Sequence, residues 1–249
     1  NMVLNEMSVN TAVTFSCAEH GEIFLYREEE SFKVLIHELL HSLCYDFSKL
    51  DTSFNLKNIV LKMFNVNSKF YLGEAYAEFW ANILNTSIMS YDLLKNKTDY
   101  EDFTYNFKIL NLFERMFSLF QCIKILDYMG LKYTDIISKE VKIRNKALSK
   151  YREDTNVFAY HILKMVWLFH SESFLVWFNK HNEDLIYSKK SNEYVKKLLK
   201  KTKLYYNDKK LLKLMDHIEK FYINGKKIAD DNENIKKIIT NTRMCLLDN

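Results

Sequence analysis

No proline occurs anywhere in the 249 residues, and there are only four glycines. These two residues are the main breakers of helices, and a β-sandwich with many tight turns depends on both. The chain is therefore expected to be mainly helical. At 48% hydrophobic and 15% aromatic it carries enough apolar side chain to build a core, which excludes a disordered segment. The length suits one large domain, or one domain with a helical extension.

The start of the chain breaks this pattern. Thr11–Cys17 and Glu22–Tyr26 are rich in Val, Thr, Phe, Ile and Tyr and flank a short Ala-Glu-His-Gly turn, as a hairpin would. From about Glu29 to Phe47 the apolar residues Phe32, Leu35, Ile36, Leu39, Leu40 and Leu43 fall at helical spacing. The acids Glu28, Glu29 and Glu30 favour a helix start there through the helix dipole. Further helices are expected over 55–64, from Gly73 to Asn85 or beyond, and over 102–129 with a glycine stop at Gly130. Others follow from Thr134, over 156–170 and over 171–179, and the tail adds three more around 191–203, 208–223 and 233–245. Composition shifts from aromatic to lysine-rich near 180–190. The expected organisation is thus a body over 1–185 and a lysine-rich helical extension over 186–249 packed on it.

The whole chain is only mildly basic, at +4, but between Lys189 and Lys227 thirteen lysines face four acids. Such a stretch is a solvated helix face or a surface for an anionic partner such as nucleic acid, an acidic substrate or anionic lipid. The four cysteines, Cys17, Cys44, Cys122 and Cys245, are widely spaced with no CxxC pair. They are expected to be free thiols, as in a reducing, intracellular (cytoplasmic) compartment. A first residue of Asn leaves room for an upstream segment. No apolar run reaches membrane-spanning length.

The segment Val34-Leu35-Ile36-His37-Glu38-Leu39-Leu40-His41 carries the chemistry. On a helix His37 and His41 lie one turn apart on one face, where two imidazoles can reach one zinc ion (Zn2+) at about 2.0–2.1 Å. Glu38 leans into the same cleft without binding the metal, and can take a proton from a water acidified by it. The motif sits inside an amphipathic helix preceded by a strand, the context it needs.

Over about fifty residues, Ile36 to Asn85, the chain resembles the zincins, the metallopeptidases that share HEXXH. The flanks and the Asn/Lys/Tyr/Phe-rich composition are also similar to uncharacterised metallopeptidases of large DNA viruses. The resemblance implies a small N-terminal β-hairpin or sheet packed on an active-site helix and followed by a helical bundle. It also implies that a substrate peptide adds to an edge strand, here Glu22–Tyr26. A catalytic zinc wants a third protein ligand and an open position. Tyr71-Leu72-Gly73-Glu74-Ala75-Tyr76-Ala77-Glu78 is similar to the second gluzincin motif, which implies Glu74 as the ligand and Glu78 as the acid holding a ligand imidazole by its other nitrogen. The spacing from His41 to Glu74 is longer than in the best-known gluzincins, and Glu stands where Asp is common, so the two roles could be exchanged. The extended HEXXHXXGXXH pattern fails, because Cys44 and Phe47 occupy its glycine and last histidine positions.

Glu74 and Glu78 share a face of a helix otherwise made of Ala, Tyr, Phe, Trp, Ile and Leu, where unpaired carboxylates are costly. A divalent cation and an imidazole N–H would remove that cost. A donor for the oxyanion of a tetrahedral intermediate is expected from a later helix, where Tyr160 and His161 stand side by side. The expected function is a zinc peptidase acting on a peptide or protein substrate. The alternatives are an inactive zincin-fold binding protein and a nucleic-acid-binding module in the basic tail.

Overall fold

The structure is a computed structural model that describes residues 11–47, 54–189, 191–229 and 232–247. It is mainly helical, with one small antiparallel sheet at the N-terminal end. Strands β1 (Ala12–Thr14) and β2 (Ile23–Leu25) pair with Val13 opposite Phe24. Helix α1 (Ser31–Ser42) follows and packs against both strands. Then come α2 (Phe54–Leu61), α3 (Leu72–Asp92), α4 (Tyr100–Tyr128), the single turn α5 (Tyr133–Ile136) and α6 (Val141–Lys150). A π-helical turn over Phe158–Leu163 runs directly into α7 (Lys164–Phe169). The last helices are α8 (Ser171–His181), α9 (Asn192–Lys203), α10 (Lys209–Ile228) and α11 (Glu233–Thr240).

Local chemistry explains five of the helix boundaries. Asp99, Ser191, Asp208 and Asn232 each accept a backbone N–H in the first turn of the helix they precede, which satisfies donors that no carbonyl can reach. Gly130 ends the α4 segment with φ +68°, a left-handed conformation that glycine adopts without a Cβ penalty. Helix α3 is buried on most sides, and its Tyr76, Phe79 and Trp80 rings meet Phe178 of α8 at centroid distances of 5.4–5.5 Å. Aromatic rings at such offsets bury on the order of 150–250 Å² each and dominate the packing. Val195, Leu198, Leu199, Leu211 and Met215 from the lysine-rich tail belong to the same buried cluster.

Three expectations are corrected. First, α6 was not anticipated; it buries only Ala147, so its sequence carries almost no apolar stripe. Second, the helix expected over 233–245 stops at Thr240. The backbone N–H groups of Met244 and Cys245 go instead to the Glu30 carboxylate, and those of Leu246 and Leu247 to Glu114. These buried acids offer the segment better acceptors than a further helical turn would. Third, Cys17 and Cys44 form a disulfide; only Cys122 and Cys245 are free among the described residues. The thiol argument for a reducing compartment falls with that pairing. No helix among the described residues is long and apolar enough to cross a membrane.

Candidate metal site

Helices α1 and α3 cross with two stripes facing each other. On α1, Lys33, His37 and His41 recur every four residues; on α3, Glu74, Glu78 and Asn82 do the same. Lys33 meets Glu78, His37 meets both glutamates, and His41 meets Glu74, so the stripes run antiparallel. The 3.6-residue period places each set of three on one face of its helix, and the crossing of α1 and α3 pairs the two faces.

At the centre three atoms converge. His41 Nε2 lies 3.1 Å from His37 Nε2, and Glu74 Oε2 lies 3.2 Å from each. Both opposite ring nitrogens face buried carboxylates: His37 Nδ1 is 2.9 Å from Glu78 Oε2, and His41 Nδ1 is 2.7 Å from Asp46 Oδ2. A carboxylate accepts, so the proton of each neutral ring belongs on Nδ1. Each Nε2 then presents a lone pair, and three acceptors meet at contact distance. Such a triangle is relieved by a cation among its corners or by a second proton on a ring, whose Nε2–H then donates to Glu74. Ligand atoms about 2.0–2.1 Å from one tetrahedral zinc lie roughly 3.3–3.4 Å apart, so the sides of 3.1–3.2 Å fit. Only this group of three among the described residues has metal-ligand geometry.

The electrostatics agree. Burial disfavours the charge on Glu74, but the two histidines outweigh it and hold its carboxyl well below the usual range. Burial likewise opposes charge on His37 and His41, yet the surrounding carboxylates raise both. The pocket attracts positive charge, which a dication supplies as well as protons do.

Glu38 stands apart from the triangle. It is 8% exposed and makes no hydrogen bond or ion pair with a described residue. Its carboxyl is raised chiefly by burial, with the histidines opposing. It lines a small cavity of about 20 Å³ together with Thr11, Ala12, His37, Tyr160 and Met244. The strand at this cavity is β1, whereas the edge strand expected from the resemblance was Glu22–Tyr26.

No protein-family model, curated protein or solved structure matches the chain. The site is accordingly read from its own geometry.

Tyr160 and His161 separate. The π-helical turn widens the backbone and turns the Tyr160 hydroxyl to Glu74 Oε2, at 3.0 Å, with its ring 6.1 Å from that of His37. His161 is buried on another side, its Nε2 without a partner among the described residues, and burial holds its pKa down at about 3. Sequence reasoning missed Asp46, Lys33 and Lys164. Lys33 was detectable, four residues before His37 on the same stripe. Asp46 lies past the end of α1, where no period operates. Gly73 is required beside it: a Cβ there would come within 2.6 Å of Asp46 Oδ2.

Proposed function

We propose that the chain is a zinc-dependent peptidase in which His37, His41 and Glu74 hold the metal and Glu38 is the general base. The observation that carries this reading is the convergence of His37 Nε2, His41 Nε2 and Glu74 Oε2 beside Glu38, a buried carboxylate that pairs with no group among the described residues. A bound zinc supplies a Lewis acid that acidifies water and polarises a carbonyl. The protein's part is then as follows. Glu78 and Asp46 fix the two imidazoles so that both Nε2 atoms face inward. Glu38, its carboxyl raised chiefly by burial, accepts a proton from the attacking water and returns it to the leaving amine nitrogen. Tyr160, kept protonated because burial and the Glu74 charge push its pKa up, donates to Glu74 Oε2 in this structure and would have to turn from it to donate to the oxygen that gains negative charge. An inactive binding protein with the same fold has no need of an unpaired acid at the position of Glu38.

The lysines of α9 and α10 are mostly exposed, and several pair with acids: Lys197 with Glu193, Lys220 with Asp216 and Lys226 with Asp127. A solvated face accounts for them, and an anionic partner rests on the charge alone.

The decisive test is Glu38→Gln, which keeps the shape and removes the proton acceptor. The expected result is a folded, zinc-binding variant with peptide hydrolysis lowered by at least about 10²-fold. A variant that cleaves peptides as fast as the parent removes Glu38 from this role.

A further inference from the structure

Lys33 is the unexpected member of the α1 stripe. Its side chain is 1% exposed. A lysine that buried costs several kcal/mol in lost hydration unless a partner compensates. Its partner is Glu78, which has no exposed surface, and the two oxygens of that carboxylate are divided: Oε1 takes the Lys33 ammonium and Oε2 faces His37 Nδ1. A second buried lysine, Lys164, waits 3.6 Å from the same Oε1 while donating to the Met244 carbonyl at 2.8 Å. Asn82 Nδ2 is 3.4 Å from Oε1.

The terminal torsion of a glutamate is broad, so nothing within Glu78 itself fixes the plane of its carboxylate. Only the groups around it do. With Lys33 in place, Oε1 is held toward the start of α1 and Oε2 is left on His37. Without it, the nearest remaining positive charge is Lys164, and the carboxylate is free to swing to it and away from the imidazole. We infer that Lys33 is a positioning residue for the metal site: acting through Glu78, it holds the His37 ring so that Nε2 points at His41 and Glu74. This inference rests on the zinc reading above and assigns Lys33 no contact with substrate or metal.

The competing explanation is that Lys33 merely neutralises charge in the core. Lys124 provides the comparison. It is also buried, but it donates to the backbone carbonyls of Ile238 and Asn241 and makes no contact with Glu78.

The experiment compares zinc dissociation constants, by competition with a chromophoric chelator, for the parent, Lys33→Met, Lys33→Arg and Lys124→Met. Long-range proton–nitrogen NMR of the histidine rings is recorded on the same proteins without metal. Lys33→Met is expected to weaken zinc roughly 10–100-fold, the usual range for groups that orient a ligand. It is also expected to lose the Nδ1-protonated signature of His37. Lys33→Arg, which keeps a charged donor, recovers most of the affinity, and Lys124→Met leaves both readouts as in the parent. Lys33→Gln, too short to reach Glu78, replaces Lys33→Met if the latter does not fold, with the same expectation. Unchanged zinc affinity and ring signals in the Lys33 variants, or equal losses in Lys124→Met, overturn the inference. A parent that binds no zinc overturns the peptidase reading, and the ring signals of the metal-free proteins then decide the role of Lys33 separately.

Discussion

Glu74 and Glu78, one turn apart on α3, address opposite nitrogens of the same imidazole: Glu74 Oε2 lies 3.2 Å from His37 Nε2, and Glu78 Oε2 lies 2.9 Å from His37 Nδ1. This division gives the two acids different predicted phenotypes. Glu74→Ala removes one corner of the triangle and should strip the metal or weaken it severely. Glu78→Ala leaves the three ligand atoms but removes the bond that orients His37 and strips the buried Lys33 of its partner, so the folded variant should bind zinc roughly 10–100-fold more weakly and should also be less stable. Zinc titrations of the two variants side by side check the order, and loss of metal in Glu78→Ala with retention in Glu74→Ala would reverse the assignment.

Helical periodicity made the centre of this site legible. His37, His41, Glu74 and Glu78 all lie at four-residue intervals on two helices, and the sequence shows such stripes directly. It does not show the pairing of stripes from different helices, so Lys33 went unremarked until α1 and α3 were seen to cross. Asp46 was hidden for another reason. It follows Cys44, a non-glycine residue at φ +59°, and no spacing rule predicts where a chain goes after such a turn. The 241–245 segment was misread as helix because its fate, with that of the two residues after it, depends on Glu30 and Glu114, more than a hundred residues away. The helix over 100–128, by contrast, was legible to within a few residues from its glycine stop, and the helix over 192–203 begins one residue from its expected start and ends at its expected end.

The Cys17–Cys44 disulfide ties the loop after β1 to the end of α1. Both cysteines have left-handed backbones, and the N–H groups of both donate to the His41 carbonyl, at 3.1 and 3.0 Å. The bridge spans 27 residues of sequence, and closing a loop of that size in the unfolded chain is worth about 3.5 kcal/mol. The double variant Cys17→Ser with Cys44→Ser is predicted to lose about that much stability in urea unfolding. A double variant as stable as the parent would show that the bridge contributes nothing.

His161 predicts a pH dependence. Burial holds its folded pKa down at about 3, with Lys164 adding to the effect and Glu78 opposing it. Unfolded, the ring titrates near 6.5. Between those values the unfolded chain binds the extra proton, so the stability this group contributes is complete above about pH 6.5 and is lost as pH falls toward 3. Replacement by Phe removes the dependence. The stability of His161→Phe relative to the parent is predicted to rise by about 2 kcal/mol between pH 7.5 and pH 5. A difference that stays constant over this range would contradict the buried, neutral histidine.

The central claim is that the His37, His41 and Glu74 triangle is a metal site, and metal content tests it most directly. Elemental analysis of the chain purified without added metal is predicted to find about one zinc per molecule, as two histidines, a glutamate and an open position require. A chain that carries no zinc and takes up none on titration would contradict the account.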